Sequence, residues 1–248
     1  MHAHRARIAE DIIAEFYVPS RRANRTVILC DGLPSVPCRG RLLDFFAKQG
    51  IWGIHIRYRG TWESDGNFLR QSPHLDVLDT VTAIEQGLKI ICSDQVVHPP
   101  TEQIFVAGSS FGGAAALLAS ADERVTGAFA ISPVIDWLEL GESEPAELLY
   151  KLVIEGFGQA YRCSHVDFNK LLTGKFYNPI YSAPELEGSK IGIVHCVDDS
   201  VTPLSATRRF AEQTGCRLTE YKRGGHLSLN KIMVPRIWRK FKKFAKSF

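Results

Sequence analysis

The chain lacks three things, and each lack removes a class of function. No apolar run approaches the roughly 20 residues needed to cross a bilayer, so no membrane insertion is expected. There is no excess of one charge: 248 residues carry a formal net charge of +3, too little to predict nucleic acid or an anionic membrane surface as a partner. There is also no cysteine pairing. The six cysteines (Cys30, Cys38, Cys92, Cys163, Cys196 and Cys216) form no CxxC pair and no metal-like spacing. Cys30, Cys92 and Cys196 lie in apolar runs where buried, reduced thiols are expected, which predicts a cytoplasmic location. The basic start through Arg7 is not followed by the apolar core of a secretory leader. The histidines lack ligand spacing, so no metal and no organic cofactor is expected.

What the sequence does contain is an alternation of short β-rich runs and helical patterns. That pattern predicts a mostly parallel central sheet with helices on both faces. Strands are expected at 12–18, 26–30, 51–56, 103–107, 125–131, 190–197 and 218–221. Helices are expected at 41–48, 75–84 and 114–119, after Pro203, and at the C-terminus. The stretch 134–188 breaks the alternation and is rich in aromatics (Phe157, Tyr161, Phe168, Phe176, Tyr177, Tyr181). It reads as a helical cap inserted into one domain covering 1–248, placed above the sheet edge where open α/β sheets bind ligands. Its aromatics suit either an acyl pocket or a core belonging to the cap. The C-terminal stretch 236–246 carries six basic residues and no acid, with Ile237, Phe241, Phe244 and Phe248 at helical spacing. It reads as a helix docked on the sheet with a solvated charged face, a membrane-surface role being the alternative.

The sharpest chemical signal is Gly108-Ser109-Ser110-Phe111-Gly112-Gly113 between an apolar strand and an alanine-rich helix. Small residues on both sides let strand and helix approach closely while the turn forces Ser110 into a strained backbone. A nucleotide-binding glycine turn is the competing reading, but neither G-x-G-x-x-G nor a P-loop lysine is present. A serine nucleophile needs a base, and the base an orienting acid. Later strand ends offer Asp198-Asp199 and, past two glycines, His226. Counting back from the helix near Pro203 favours Asp199 over Asp198. Ser109 is expected to be a buried bystander, and His55 and His195 to pack within strands. Developing negative charge is expected to meet the backbone N–H of Phe111, at the helix start, and of Leu33, in the loop after the strand at 26–30.

With those residues placed, the chain resembles the α/β-hydrolase superfamily over nearly its whole length. The likeness is strongest to the catalytic domain of the prolyl-oligopeptidase family and to stand-alone serine esterases. Gly108 to Gly113 resembles their G-x-S-[FY]-G-G elbow, residues 57–66 their Y-R-G-x-x-x-S-x-G loop, and Gly224-Gly225-His226 their G-G-H. The order Ser, Asp, His along the chain is also theirs. Asp31 stands where a histidine usually precedes the glycine of the oxyanion loop, and Cys196 replaces the glycine after His195. The propeller domain of large prolyl oligopeptidases has no counterpart here.

The resemblance implies a serine hydrolase cleaving a small-molecule carboxylic ester or related acyl bond. The alternatives are a peptidase or amidase, an acyltransferase on the same triad, and a non-catalytic binding protein of the same fold. Arg57 and Arg59 are expected to be structural, with an anionic substrate group as the other possibility. The sequence leaves the acyl group, the leaving group and the oligomeric state open.

Overall fold

Runs such as Val27-Ile28-Leu29-Cys30 are apolar at every position because both faces of the sheet they enter are covered. In the computed structural model Val27 and Leu29 join one core, and Ile28 and Cys30 the other, as the two-residue period of a strand requires. The structure describes residues 3–37, 39–141 and 145–248; Cys38 lies outside the described residues.

The chain opens with a hairpin of β1 (His4–Ile8) and β2 (Ile12–Phe16), then β3 (Thr26–Cys30), α1 (Gly40–Lys48), β4 (Trp52–Arg57) and α2 (His74–Gln86). A small hairpin of β5 (Leu88–Lys89) and β6 (Val96–Val97) precedes β7 (Ile104–Ser109), α3 (Phe111–Ala119) and β8 (Gly127–Ile131). The insertion supplies α4 (Ala146–Phe157), α5 (His165–Asn169) and α6 (Pro179–Ser182). Then follow β9 (Ile191–Cys196), α7 (Leu204–Thr214), β10 (Arg217–Tyr221) and α8 (Pro235–Ala245).

Eight strands form one sheet in the order β1-β2-β4-β3-β7-β8-β9-β10. β2 runs antiparallel to β1 and β4, while β4, β3, β7, β8, β9 and β10 run parallel to one another. Register matters for the site. Cys30 lies opposite Gly108, and Ser109 opposite Ile131, so the loops after β3, β7 and β8 leave the sheet at one level.

Helices α1 and α8 cover one face through Leu43, Phe46, Trp238 and Phe241. Helices α2 and α3 cover the other, with Phe210 of α7 beside β8 and β9. The stripe on α8 is buried as expected except for Phe248, which lies beyond the helix and is 43% exposed. Among the described residues no helix is long and apolar enough to cross a membrane.

Arg57 and Arg59 are structural. Buried Arg57 pairs with Glu15 and Glu63 at 2.8 Å each, and Arg59 is clasped by Asp11, Asp76 and Asp79. One expectation fails: Cys92 is exposed, because its apolar run ends in the turn between β5 and β6. Cys30 and Cys196 are buried. The insertion's Tyr161, Phe168 and Tyr177 are buried in the same core as α2 and α3, not in a core of their own, while Tyr181 is exposed.

Phe241 meets the rings of Phe46, Phe105, Phe129 and Trp238 with centroids 5.2–6.3 Å apart. Phe241→Ala is expected to cost about 3–5 kcal/mol in denaturant unfolding. Phe248→Ala, at an exposed position, is expected to change it by about 0.5 kcal/mol or less.

Candidate active site

Close approach of backbone fixes the turn between β7 and α3. A methyl group at Gly108 would run into the Gly112 carbonyl, and one at Gly112 into the Cys30 carbonyl. Helix α3 therefore starts directly on top of the strand ends, and the residue between them has no relaxed conformation available. Ser110 takes that strain, with φ 53° and ψ −120°. Its amide is held by the carbonyls of Ile131 and Ser132 at 3.1 Å. Ser109 is buried in the strand, as expected.

The loop after β3 lies against the nucleophile candidate: a Cβ at Gly32 would sit 3.2 Å from Ser110 Cβ. The backbone N–H groups of Leu33 and Phe111 have no hydrogen-bond partner among the described residues. The Phe111 ring is locked among Tyr58, Phe68, Trp137 and Tyr177, and Tyr177 Oη donates to the Phe111 carbonyl at 2.6 Å. The insertion thus braces the first turn of α3 from behind.

The two adjacent aspartates past β9 divide sharply. Asp199 is buried and accepts from His226 Nδ1 at 2.9 and 3.1 Å. It also accepts from the amides of Val201 and Thr202 at 3.0 Å and from Thr202 Oγ1 at 3.1 Å, and lies 3.3 Å from His195 Nε2. Burial by itself would raise the Asp199 carboxyl, but the hydrogen bonds from His195 and His226 outweigh it and hold the group far below the usual carboxylate range. Asp198 is exposed and instead accepts the amides of Gly224 at 3.2 Å and Gly225 at 2.9 Å. It ties down the loop that carries His226, and Gly225 bends that loop at φ 58°.

Ser110, Leu33 and His226 line one cleft of about 290 Å³, and no hydrogen bond joins Ser110 Oγ to His226 in this structure. The cleft walls come from the loop after β3, the elbow, Val201 and the segment 226–230. The insertion contributes nothing to that lining, so of the two readings of its aromatics the acyl pocket is not the one seen in this cleft. Tyr161, Phe168 and Tyr177 face the interior, and Tyr161 reaches the cleft only indirectly, by accepting from the Ser35 amide at 2.8 Å. A larger hollow of about 510 Å³ lies by α8 and the starts of β9 and β10, away from all of these residues.

Sequence reasoning missed several groups that hold the site. His195 is buried, donating to the Thr202 carbonyl at 2.9 Å while its Nδ1 meets Thr207 Oγ1 at 2.9 Å. The Ser132 hydroxyl accepts the Leu227 amide at 3.2 Å, joining the loops after β8 and β10. Asp31, at the departure from the family pattern, is buried between His55 and Arg39; burial would raise its carboxyl, but those two partners hold it below its ordinary range. None of these carries a motif; each is a single polar residue whose partners follow no periodicity, from Thr202 seven residues beyond His195 to Leu227 ninety-five beyond Ser132. Among the described residues no group of three or more His, Cys, Asp or Glu is arranged to hold a metal ion.

No family model matches the chain. An Escherichia coli protein described as an uncharacterized 31.7 kDa protein in the traX-finO intergenic region is 31% identical over 158 residues, 59% of this chain and 52% of that protein. The chain therefore spans about half the length of the curated relatives it matches. Among solved structures, the Pyrococcus furiosus esterase Pf2001 superposes with a TM-score of 0.71 at 16% identity, over 100% of this chain and 91% of that one. The α/β hydrolase GrgF from Penicillium gives 0.68 at 20% identity, over 99% and 98%. The acylaminoacyl peptidase of Pyrococcus horikoshii gives 0.64 at 15% identity, over 100% of this chain and 41% of that one. Through this likeness and its strand order, the chain has the α/β-hydrolase fold and resembles the esterases and acylaminoacyl peptidases built on it.

Proposed function

We propose that the protein is a serine hydrolase that cleaves a carboxylic ester or related acyl bond through an acyl-enzyme on Ser110. The observation that carries this reading is the hydrogen bond of His226 Nδ1 to buried Asp199, in the same cleft as Ser110 at its strained turn.

The chemistry follows from which atoms are free. Bonding to a carboxylate makes Nδ1 of His226 the protonated nitrogen and leaves Nε2 as an acceptor. Ser110 Oγ attacks the substrate carbonyl as Nε2 takes its proton. The carbonyl oxygen, now negative, is met by the otherwise unpartnered N–H groups of Phe111 and Leu33. His226 then returns the proton to the departing alcohol or amine. Water, activated by the same nitrogen, releases the acid and restores Ser110. Asp199 stays ionised throughout, stabilising the imidazolium and fixing its tautomer.

Short p-nitrophenyl esters and a fluorophosphonate probe test the reading directly. Wild type is expected to hydrolyse the esters and to be labelled, and Ser110→Ala to lose both; a wild type that does neither overturns the proposal. Assaying aminoacyl amides alongside separates esterase from amidase action.

The two aspartates give a second test. Asp199→Asn is expected to lower kcat by about 10⁴-fold, the scale of a triad held in the wrong tautomer. Asp198→Asn, which loses only loop contacts, is expected to cost about tenfold or less in kcat. Equal losses in the two variants would contradict the assignment.

The depressed Asp199 carboxyl also predicts a pH dependence of stability. Its stabilising effect is complete above the ordinary carboxylate pKa and is lost as pH falls toward its much lower folded value. Between about pH 5 and pH 3 the unfolded chain takes up a proton at this residue and the native protein does not. Tm of wild type is therefore expected to fall more steeply over that window than Tm of Asp199→Asn.

A further inference from the structure

Arg39 lines the cleft that holds Ser110 and His226, and its side chain is 16% exposed. Its Nε donates to Asp31 Oδ2 at 2.6 Å, and the same oxygen meets buried His55 Nε2 at 2.7 Å. The guanidinium is thus anchored from behind by a buried carboxylate that the fold itself orients. Its two terminal nitrogens, Nη1 and Nη2, have no hydrogen-bond partner among the described residues. This sets Arg39 apart from Arg59, whose guanidinium is taken up by three carboxylates, and from Arg57, buried between two.

The rest of the cleft wall is neutral apart from His226 and the Asp31 already engaged; Ser35, Val201 and Asn230 are typical of it. An anchored arginine with a free planar fork matches a carboxylate, which accepts two parallel N–H bonds. The cleft, at about 290 Å³, suits a small ligand, so a group on Ser110 and a group on Arg39 belong to one short molecule.

We infer that Arg39 selects substrates bearing a carboxylate near the scissile acyl bond, so that the preferred substrate is a short acyl compound with one free acid group. The inference rests on the serine-hydrolase reading of the same cleft. A carboxylate on Arg39 holds the carbonyl at Ser110 and excludes neutral analogues, which leave the guanidinium fork unpaired. The opposing account is that Arg39 only neutralises Asp31. The two differ in what happens to the ratio of rates on charged and neutral substrates.

Two matched ester pairs read that ratio. p-Nitrophenyl hydrogen glutarate against its methyl ester places the acid on the acyl side. 4-Carboxyphenyl butyrate against 4-carbamoylphenyl butyrate places it on the leaving side. In wild type, kcat/KM is expected to favour the acid of at least one pair by about tenfold to a hundredfold, mainly through KM. Arg39→Gln is expected to bring that ratio close to one, and Arg39→Lys, which keeps the charge without the fork, to retain part of it.

A ratio unchanged by Arg39→Gln in both pairs, or a wild type without preference, overturns the inference and leaves the hydrolase reading intact. Absence of both ester turnover and fluorophosphonate labelling at Ser110 overturns that reading and this inference with it. If Ser110 is labelled but none of the esters turns over, glutarate decides. Protection of wild type but not of Arg39→Gln supports the inference, and no protection of wild type refutes it.

Discussion

The contact on which the site depends is the one between the backbones of β3, β7 and α3. Gly108 and Gly112 allow the Gly112 segment to rest on the carbonyls of Cys30 and Asp31 with no side chain between. Because that contact is so close, the chain reverses within one residue, and Ser110 carries a φ of 53° that L residues rarely adopt. The strain is affordable because dense packing surrounds it: α3 is buried along its length, and the Phe111 ring is held by four aromatic neighbours. The same geometry starts α3 at Phe111, so the first amide of the helix, next to Ser110, has no intrahelical partner to take it.

Electrostatics finish what packing begins. Asp199 is a buried carboxylate with five donors or near-donors around it, from Val201, Thr202, His195 and His226. A buried charge survives only where it is paired and hydrogen-bonded, and here that need recruits residues from β9, the loop beyond it and the loop after β10. Burial and hydrogen bonding oppose each other, and bonding wins. The exposed neighbour Asp198 does different work: by accepting the Gly224 and Gly225 amides it sets where the His226 loop leaves the sheet. One carboxylate holds the ring and the other holds the loop that brings the ring.

Much of this was legible in the sequence because it is local. Strands buried on both faces read as unbroken apolar runs, and β3 and β8 were found that way, as were the elbow glycines and the helix starting beyond them. The β1 strand was not, since Arg5 and Arg7 interrupt its pattern at an exposed sheet edge and its pairing with β2 needs only a short turn. Cys92 was misplaced for the same kind of reason: an apolar dipeptide before a turn looks like the end of a buried strand. In the site, residue types at strand ends named Ser110, Asp199 and His226, but not the groups that hold them. His195, Ser132, Thr202 and the Asp31–His55–Arg39 cluster act through single contacts made across turns and between loops, and single polar residues have no periodicity to betray them. The two arginines that drew attention in the sequence, Arg57 and Arg59, are absorbed by carboxylates, while the one that faces the cleft sits in an undistinguished loop before α1.

That difference follows from how the fold divides its labour. The insertion between β8 and β9 is the longest connection between two strands of the sheet, and its length invites the expectation of a cap over a binding site. Its large rings, however, gain more by entering the core beside α3 than by facing water, since each buries a large apolar area there. What then remains at the cleft comes from short segments: the loop after β3, the elbow, and the loops after β9 and β10. The loop after β3 is the one whose residues both approach Ser110, through Gly32, and present a charge, through Arg39. Its acid, Asp31, is buried with His55 and Arg39 as its side-chain partners among the described residues, so loss of the arginine leaves a buried carboxylate with His55 alone. A requirement of folding therefore holds a cation in the cleft that Ser110 lines, and the substrate selection we propose falls to that loop while the insertion packs behind α3.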